Sequence, residues 1–465
     1  MTWTRARYGS HAETAVAEPR LRRYLAEGAT HSGFALFYLL QNANPQPAVV
    51  RITYIRAAGQ APLVKEYDVP AASRFNVWVN LEEFAGQGKA LAAADVSAII
   101  EVTNGVPIIV ERAMYLTRPG LPFSAGHASA AIADPATEWF LAEGATGTYF
   151  DLFVLVANPS STDAPIDVRY LLADGRTFTK RHVVPAASRF TIWVDQEDIG
   201  GVKVLADVAV STTVTSVDDV PLIVERAMWW PGPTAATWYE AHNSPGATQT
   251  GLAWALADGE LGGPTDADTY VLIANTSPTA GEALVTVLPE DGSPTLTRTF
   301  PLLPSSRANV SLRDDFTDVL GKRFGILVES VGTAPAALVV ERALYSDTIA
   351  TAGRFPAAPT RSCAVESSIA STSGALYEFQ VVNNTTAPVD VFWKGFTGQR
   401  VKYATVTAGN TWSIGSYAGN IWLVTDTSGA CLGLYEVPTA KVSAVVGPPA
   451  QHWAAGSNAL ATRLR

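Results

Sequence analysis

The chain has 465 residues, 48% of them hydrophobic and only 16% charged, which is too long for one core and too poor in charge to solvate a helical bundle. Its net charge of −10, with no basic run, argues against a nucleic-acid binder. No stretch approaches the roughly 18 apolar residues that span a bilayer as a helix. No apolar run follows Arg5 and Arg7, so the start does not read as a signal peptide.

Residues 1–23 read as an N-terminal tail, and behind it the sequence repeats. Tyr24-Leu-Ala-Glu-Gly-Ala-Thr30 returns as Phe140-Leu-Ala-Glu-Gly-Ala-Thr146 and, weakened, as Ala255-Leu-Ala-Asp-Gly259. Pro70-Ala-Ala-Ser-Arg74 returns as Pro185-Ala-Ala-Ser-Arg189 and Pro304-Ser-Ser-Arg307. Val110-Glu-Arg-Ala-Met-Tyr115 returns as Val224-Glu-Arg-Ala-Met-Trp229 and Val340-Glu-Arg-Ala-Leu-Tyr345. The glutamates of this last marker are spaced 225 − 111 = 114 and 341 − 225 = 116. That period exceeds the 20–50 or so residues of solenoid units, so each copy reads as a domain. The expected repeats are 24–118, 137–231 and 252–346, joined by connectors rich in Pro, Gly, Ala, Ser and Thr at 117–136, 231–251 and 346–361.

The second copy is the clearest. Tyr149–Ala157 is an apolar run that stops at Asn158-Pro159, and Ile166, Val168, Tyr170 and Leu172 alternate with polar residues. Asp174-Gly175 predicts a hairpin turn, with a return strand through Phe178–Val183. Phe190–Val194, Val208–Thr215 and Leu222–Met228 complete an antiparallel β-sandwich of about seven strands. In its AEG-T, ANP and VERAM markers the segment 24–345 resembles a tandem repeat of bacterial surface proteins. That resemblance implies an extracellular or cell-surface setting.

Charges recur with the markers: Glu27, Glu143 and Asp258; Arg74, Arg189 and Arg307; and the pairs Glu111-Arg112, Glu225-Arg226 and Glu341-Arg342. One reading makes them a ligand site in each module. The other makes them paired groups that fix sheet packing or a module junction, and charges inside apolar strands favour it.

Catalytic patterns are missing. The six histidines are scattered, and neither a G-x-S-x-G elbow nor an H-E-x-x-H pair occurs. Acidic clusters at Asp218-Asp219, at Asp266 with Asp268, and at Asp314-Asp315 with Asp318 raise calcium as a ligand, although none matches a defined loop. No cofactor is otherwise expected, and the chain reads as a non-enzyme.

Beyond the repeats, 363–447 is a different β module with strands expected at Leu376–Val382, Val389–Trp393, Ala404–Val406, Thr411–Ile414, Ile421–Thr425 and Leu432–Glu436. Both cysteines, Cys363 and Cys431, lie here, either as a disulfide or as two buried thiols. Residues 448–465 read as a C-terminal tail. Val382-Asn383-Asn384, Val391-Phe-Trp-Lys-Gly-Phe-Thr-Gly398, Tyr403 and Ile414-Gly-Ser-Tyr-Ala-Gly-Asn-Ile-Trp-Leu423 resemble the β domain of the von Hippel-Lindau tumour suppressor family.

This resemblance implies a β-sandwich with a shallow groove for a hydroxylated proline in an extended peptide. Trp393, Tyr403, Ser416 and Trp422 match the family's groove residues, while its two histidine positions are Gly415 and Asn420. Asn420 joins the candidate set as a neutral donor or acceptor, and little discrimination between proline and hydroxyproline is expected. The family's helical, ubiquitin-ligase-recruiting domain has no counterpart.

The fold expected is therefore all-β: three tandem antiparallel sandwiches and one von Hippel-Lindau-like sandwich. The function expected is a non-catalytic surface or secreted protein whose spacers present a module for a peptide or protein ligand that contains proline. A purely structural surface protein is the alternative, and a carbohydrate-active or hydrolytic enzyme a more distant one. Recognition requires the groove residues to be clustered and exposed.

Overall fold

A computed structural model describes residues 15–118, 121–231, 238, 240–263, 266–345, 358–383, 385, 387–408 and 410–447. Most of both expected tails and of the expected 346–361 connector lies outside this set.

The first module contains β1 (Arg22–Leu25), β2 (Phe34–Asn42), β3 (Ala48–Ile55), β4 (Leu63–Val69) and β5 (Ser73–Trp78). It closes with β6 (Ser97–Val102), β7 (Ile109–Arg118) and β8 (Leu121–Ala130). One sheet runs β1-β6-β3-β4 and the other β5-β2-β7-β8.

The second module repeats this order with β9 (Glu138–Leu141), β10 (Asp151–Asn158), β11 (Ala164–Leu172) and β12 (Thr177–Val184). It continues through β13 (Ser188–Trp193), β14 (Val210–Ser216), β15 (Ile223–Trp230) and β16 (Glu240–Pro245). Its sheets are β9-β14-β11-β12 and β13-β10-β15-β16.

The third module has β17 (Ala253–Leu256), a short β18 (Glu260–Leu261), β19 (Asp268–Asn275), β20 (Gly281–Pro289) and β21 (Leu296–Leu302). It ends with β22 (Ser306–Ser311), β23 (Lys322–Val331) and β24 (Leu338–Tyr345). The same order recurs as β17-β23-β20-β21 and β22-β19-β24.

Two-residue alternation drives these sheets. Ala164, Ile166, Val168 and Tyr170 of β11 point inward and are fully buried, with half-exposed residues between them. Gly175 takes φ 82° in the predicted Asp174-Gly175 turn, a conformation that glycine adopts without a Cβ penalty.

The markers also have local causes. A Cβ on Gly28 or Gly144 would collide with the carbonyl of Val96 or Val210, so the strands meet there only over glycine. The Thr30 and Thr146 hydroxyls each donate to a leucine carbonyl, Leu91 and Leu205, at 2.6 Å.

The connectors correct the sequence reading. Segments 117–136 and 231–251 are not plain linkers: they carry β8 and β16, which add a strand to the sheet of the preceding module. Few large apolar residues mark these strands, because their partners are small and polar groups of the junction.

The C-terminal module comprises β25 (Thr360–Arg361), β26 (Leu376–Asn383), β27 (Val389–Lys394) and β28 (Arg400–Val406). It continues with β29 (Thr411–Tyr417), β30 (Ile421–Thr425), β31 (Cys431–Glu436) and β32 (Val442–Val446). Its sheets are β25-β31-β30-β27-β28 and β29-β26-β32, with β32 parallel to β26. A disulfide joins Cys363 to Cys431.

One marker persists from the repeats into this module. Asn42, Asn158, Asn275 and Asn383 each end the first long strand of their module and donate to a carbonyl four residues on, at 2.8–2.9 Å. Each also accepts the backbone N–H of the second residue on, so a single side chain builds the same turn four times.

Candidate functional site

In the C-terminal module, β27 and β30 set Trp393 directly opposite Trp422. A bulge in the β27–β28 pairing leaves Tyr403 as the extra residue, since Val391 faces Ala404 and Phe392 faces Lys402. The Tyr403 ring stands edge-on to Trp422 with centroids 5.0 Å apart. Ser416 Oγ accepts from Trp422 Nε1 at 2.8 Å and from Asn420 Nδ2 at 3.0 Å. All five expected residues therefore gather around one indole.

They are exposed only in part. Trp422 is 2% exposed and stacks on Phe379, Ser416 is 1% exposed, and Asn420 is also buried. These three form a closed floor. Tyr403 (49% exposed) and Phe396 (60%) face solvent, with Phe396 edge-on to half-buried Trp393. Two covered atoms of the cluster, Trp393 Nε1 and Asn420 Oδ1, have no hydrogen-bond partner among the described residues. Buried polar groups are rarely left so.

The repeated charges assemble elsewhere, at the module junctions. Consecutive strand residues point to opposite faces, so each Glu-Arg pair turns its carboxylate one way and its guanidinium the other. Glu225 of the second module reaches back into the first. It accepts from Arg112 Nη1 and from the Glu27 backbone N–H, both at 2.7 Å, with no exposure of either charged side chain.

Arg112 also bonds the Glu27 carbonyl, Ser129 and Asn243 Oδ1, the last at 2.6 Å. His127 Nε2 lies 3.2 Å from Glu27. Burial opposes the ionised form of Glu27, but His127 and Arg112 outweigh it and hold its carboxyl below the ordinary range.

The second junction repeats the plan. Arg226 pairs with Glu143 of its own module at 2.7 Å and with Glu341 of the third. Here burial, reinforced by the neighbouring Glu341, pushes the Glu143 carboxyl up in spite of Arg226. The arginines of the Pro-Ala-Ala-Ser-Arg marker reach back too. Arg189 donates to Ser97 Oγ at 3.2 Å, and Arg307 donates to the Gly144 carbonyl at 2.5 Å. Burial lowers Arg307 to about 10.

Apolar contacts seal the joints. Leu155, Ala157, Ile223 and Trp229 join the core of the first module, and Phe140 and Ala142 pack on Ala274 and Val339.

Of the junction residues, His127, Ser129 and Asn243 were not legible in the sequence. They sit on β8 and β16, and only the register of those strands brings Ser129 and Asn243 to Arg112 and His127 to Glu27.

A shallow cleft of about 270 Å³ in the second module is lined by Gly147, Thr148, Asp151, Asp195, Lys203 and Asp207, among others. Burial pushes Asp195 up to about 6, a value suited to acid–base work. Its contacts are structural, however: it accepts the N–H groups of Gly147 and Leu152, as Asn80 accepts that of Leu36 in the first module. Of the acidic clusters raised for calcium, Asp266 and Asp268 are engaged, for Arg313 bonds both, at 2.9 and 2.5 Å.

No protein-family model matches the chain, and no curated protein does. Among solved structures, a tetra-tandem repeat from the extending region of a large adhesion protein is 12% identical. The match covers 90% of this chain and 98% of that one at a TM-score of 0.14. A Thermotoga maritima protein is 15% identical over 24% of this chain and 94% of its own, at 0.21. The major pilin of Streptococcus pyogenes, in a point-mutant form, is 9% identical over 67% and 98%, at 0.14. At such scores none of them carries the arguments that follow.

Proposed function

We propose that this is a non-catalytic surface or secreted protein, in which three clamped sandwiches hold out a C-terminal module that binds an extended, proline-containing peptide. The observation that carries the reading is the gathering of Trp393, Tyr403, Ser416, Asn420 and Trp422 around one indole, with two covered polar atoms unpaired. Elsewhere the repeats put their buried charges into junctions, which is work for a spacer.

The Cys363–Cys431 disulfide suits an oxidising compartment. The contact surface would be Tyr403, Phe396 and the edge of Trp393, flat aromatics against which a pyrrolidine ring packs. A surface this shallow binds weakly and distinguishes hydroxyproline from proline poorly, because Ser416 and Asn420 lie beneath it.

Titration of the full chain with extended proline and hydroxyproline peptides tests this. Tyr403→Ala should remove binding without altering the fold, since half of that side chain is in solvent. Trp422→Ala is a poor probe, because it opens a core cavity worth about 3–5 kcal/mol. Failure of both peptides to saturate the protein would leave the module a spacer like the other three.

A further inference from the structure

The same joint is built twice inside this chain, and each half of it is also left open once. Each joint needs a donor face, which carries the backward-facing Glu and the marker arginine, and an acceptor face, which carries the forward-facing Arg. In the second and third modules the donor faces are covered: Leu155, Ala157, Ile223, Glu225, Arg189 and Arg307 are all 5% exposed or less, and Glu341 keeps 18% of its side chain exposed. Among the described residues, nothing covers the equivalent face of the first module. Gln41 and Arg74, which stand where Ala157 and Arg189 stand, are exposed, and Leu39, Ile109 and Glu111 are only half-buried. Among the described residues, neither the Glu111 nor the Arg74 side chain makes a hydrogen bond or ion pair.

The third module carries the complementary half. Arg342 stands where Arg112 and Arg226 stand, yet 23% of its side chain is exposed, against 0% and 1% for those two. Its ion-pair partner, Asp258, is 68% exposed. Around it Ala255 and Ala257 are exposed, whereas their equivalents Phe140 and Ala142 are buried under the next module. The C-terminal module has no Glu-Arg marker with which to answer Arg342.

We propose that these two faces bind each other between molecules, so that the first module of one copy docks on the third module of another in the geometry of the internal joints. Glu111 would meet Arg342 as Glu225 meets Arg112, and Arg74 would reach the Gly259 carbonyl as Arg307 reaches that of Gly144. The faces differ, so the contact is heterologous and runs head to tail, adding copies in one direction. It is weaker than the internal joints. Ala255 replaces an aromatic, Gly325 stands in place of the Ser97 that bonds Arg189, and no linker raises the local concentration.

Sedimentation velocity on the full chain over a range of concentrations tests it. The weight-average mass should rise with concentration to about twice the monomer mass or more, and fall back in high salt. Glu111→Arg and Arg342→Glu should each restore the monomer. Mixing the two variants should restore association, because the intact Glu111 of one meets the intact Arg342 of the other and the two substituted positions carry opposite charges. Gln41→Arg, an exposed change with no part in the fold, should block association as well. A chain that stays monomeric throughout, with the third module's face covered by its own C-terminal module, overturns the proposal. So does association that survives all three substitutions.

Discussion

The joint between the first and second modules and the joint between the second and third are made from the same dipeptide, but the first is tighter. Arg112 and Glu225 have no exposed side-chain surface, whereas Glu341 keeps 18% of its own. Arg112 has Ser129, Asn243, Glu225 and a carbonyl as partners, and His127 helps to hold its neighbour Glu27 ionised. At the second joint Glu143 and Glu341 share Arg226 and oppose one another, which with burial raises Glu143. The difference teaches that burial of these charges belongs to the joint and not to the module. The same arginine is sealed, nearly sealed or open according to what lies on top of it.

That ranking can be broken by deletion. Arg112→Ala leaves Glu27 and Glu225 buried without their cation and should cost about 3–5 kcal/mol at the first joint. Arg226→Ala acts on a joint with a partly wet partner and should cost less, about 2–3 kcal/mol. Native-state hydrogen exchange of the Glu27 and Glu143 amides, which donate to Glu225 and Glu341 across the first and second joints, reads the two separately, which a melt of a multi-domain chain does not. Equal losses at both joints would dissolve the comparison.

Acid sharpens it further. Glu27 has a folded pKa below its ordinary value, so its contribution is present above the ordinary carboxylate range and is lost as pH falls through the folded value. Glu143 has a raised pKa, so its ionised form opposes folding at neutral pH and that opposition is relieved on acidification. The first joint should therefore lose exchange protection on acidification while the second keeps or gains it. Arg342→Ala should have the smallest effect, about 1 kcal/mol or less in the monomer, since its pair is largely in solvent.

Much of this was readable from residues alone. The strands of the second module follow two-residue alternation, and Asp174-Gly175 turns where its chemistry requires. The Glu-Arg repeats signalled paired charges because isolated ions do not survive in apolar strands. Which module each charge serves was not readable: it depends on strand faces meeting across an interface 114–116 residues apart in sequence. For the same reason an isolated second module would show nothing on Glu225→Ala, whose partner Arg112 lies in the first. The connectors read as linkers because Ala, Gly and Ser hide a strand whose neighbours are polar. In the C-terminal module the cluster was legible as a register, but its exposure was not, because Trp422 carries core packing and groove floor at once.

The central claim, that the Glu-Arg dipeptide clamps one module to the next, is tested most directly at the Glu27 amide, which donates to Glu225 across the first joint. Its exchange should be measured in the parent chain, in Arg112→Ala, in Glu225→Ala and in the double variant. A clamp predicts strong protection in the parent and a coupling of about 2 kcal/mol or more between the two substitutions. Additive effects, within about 0.5 kcal/mol, would mean that the two modules merely touch there.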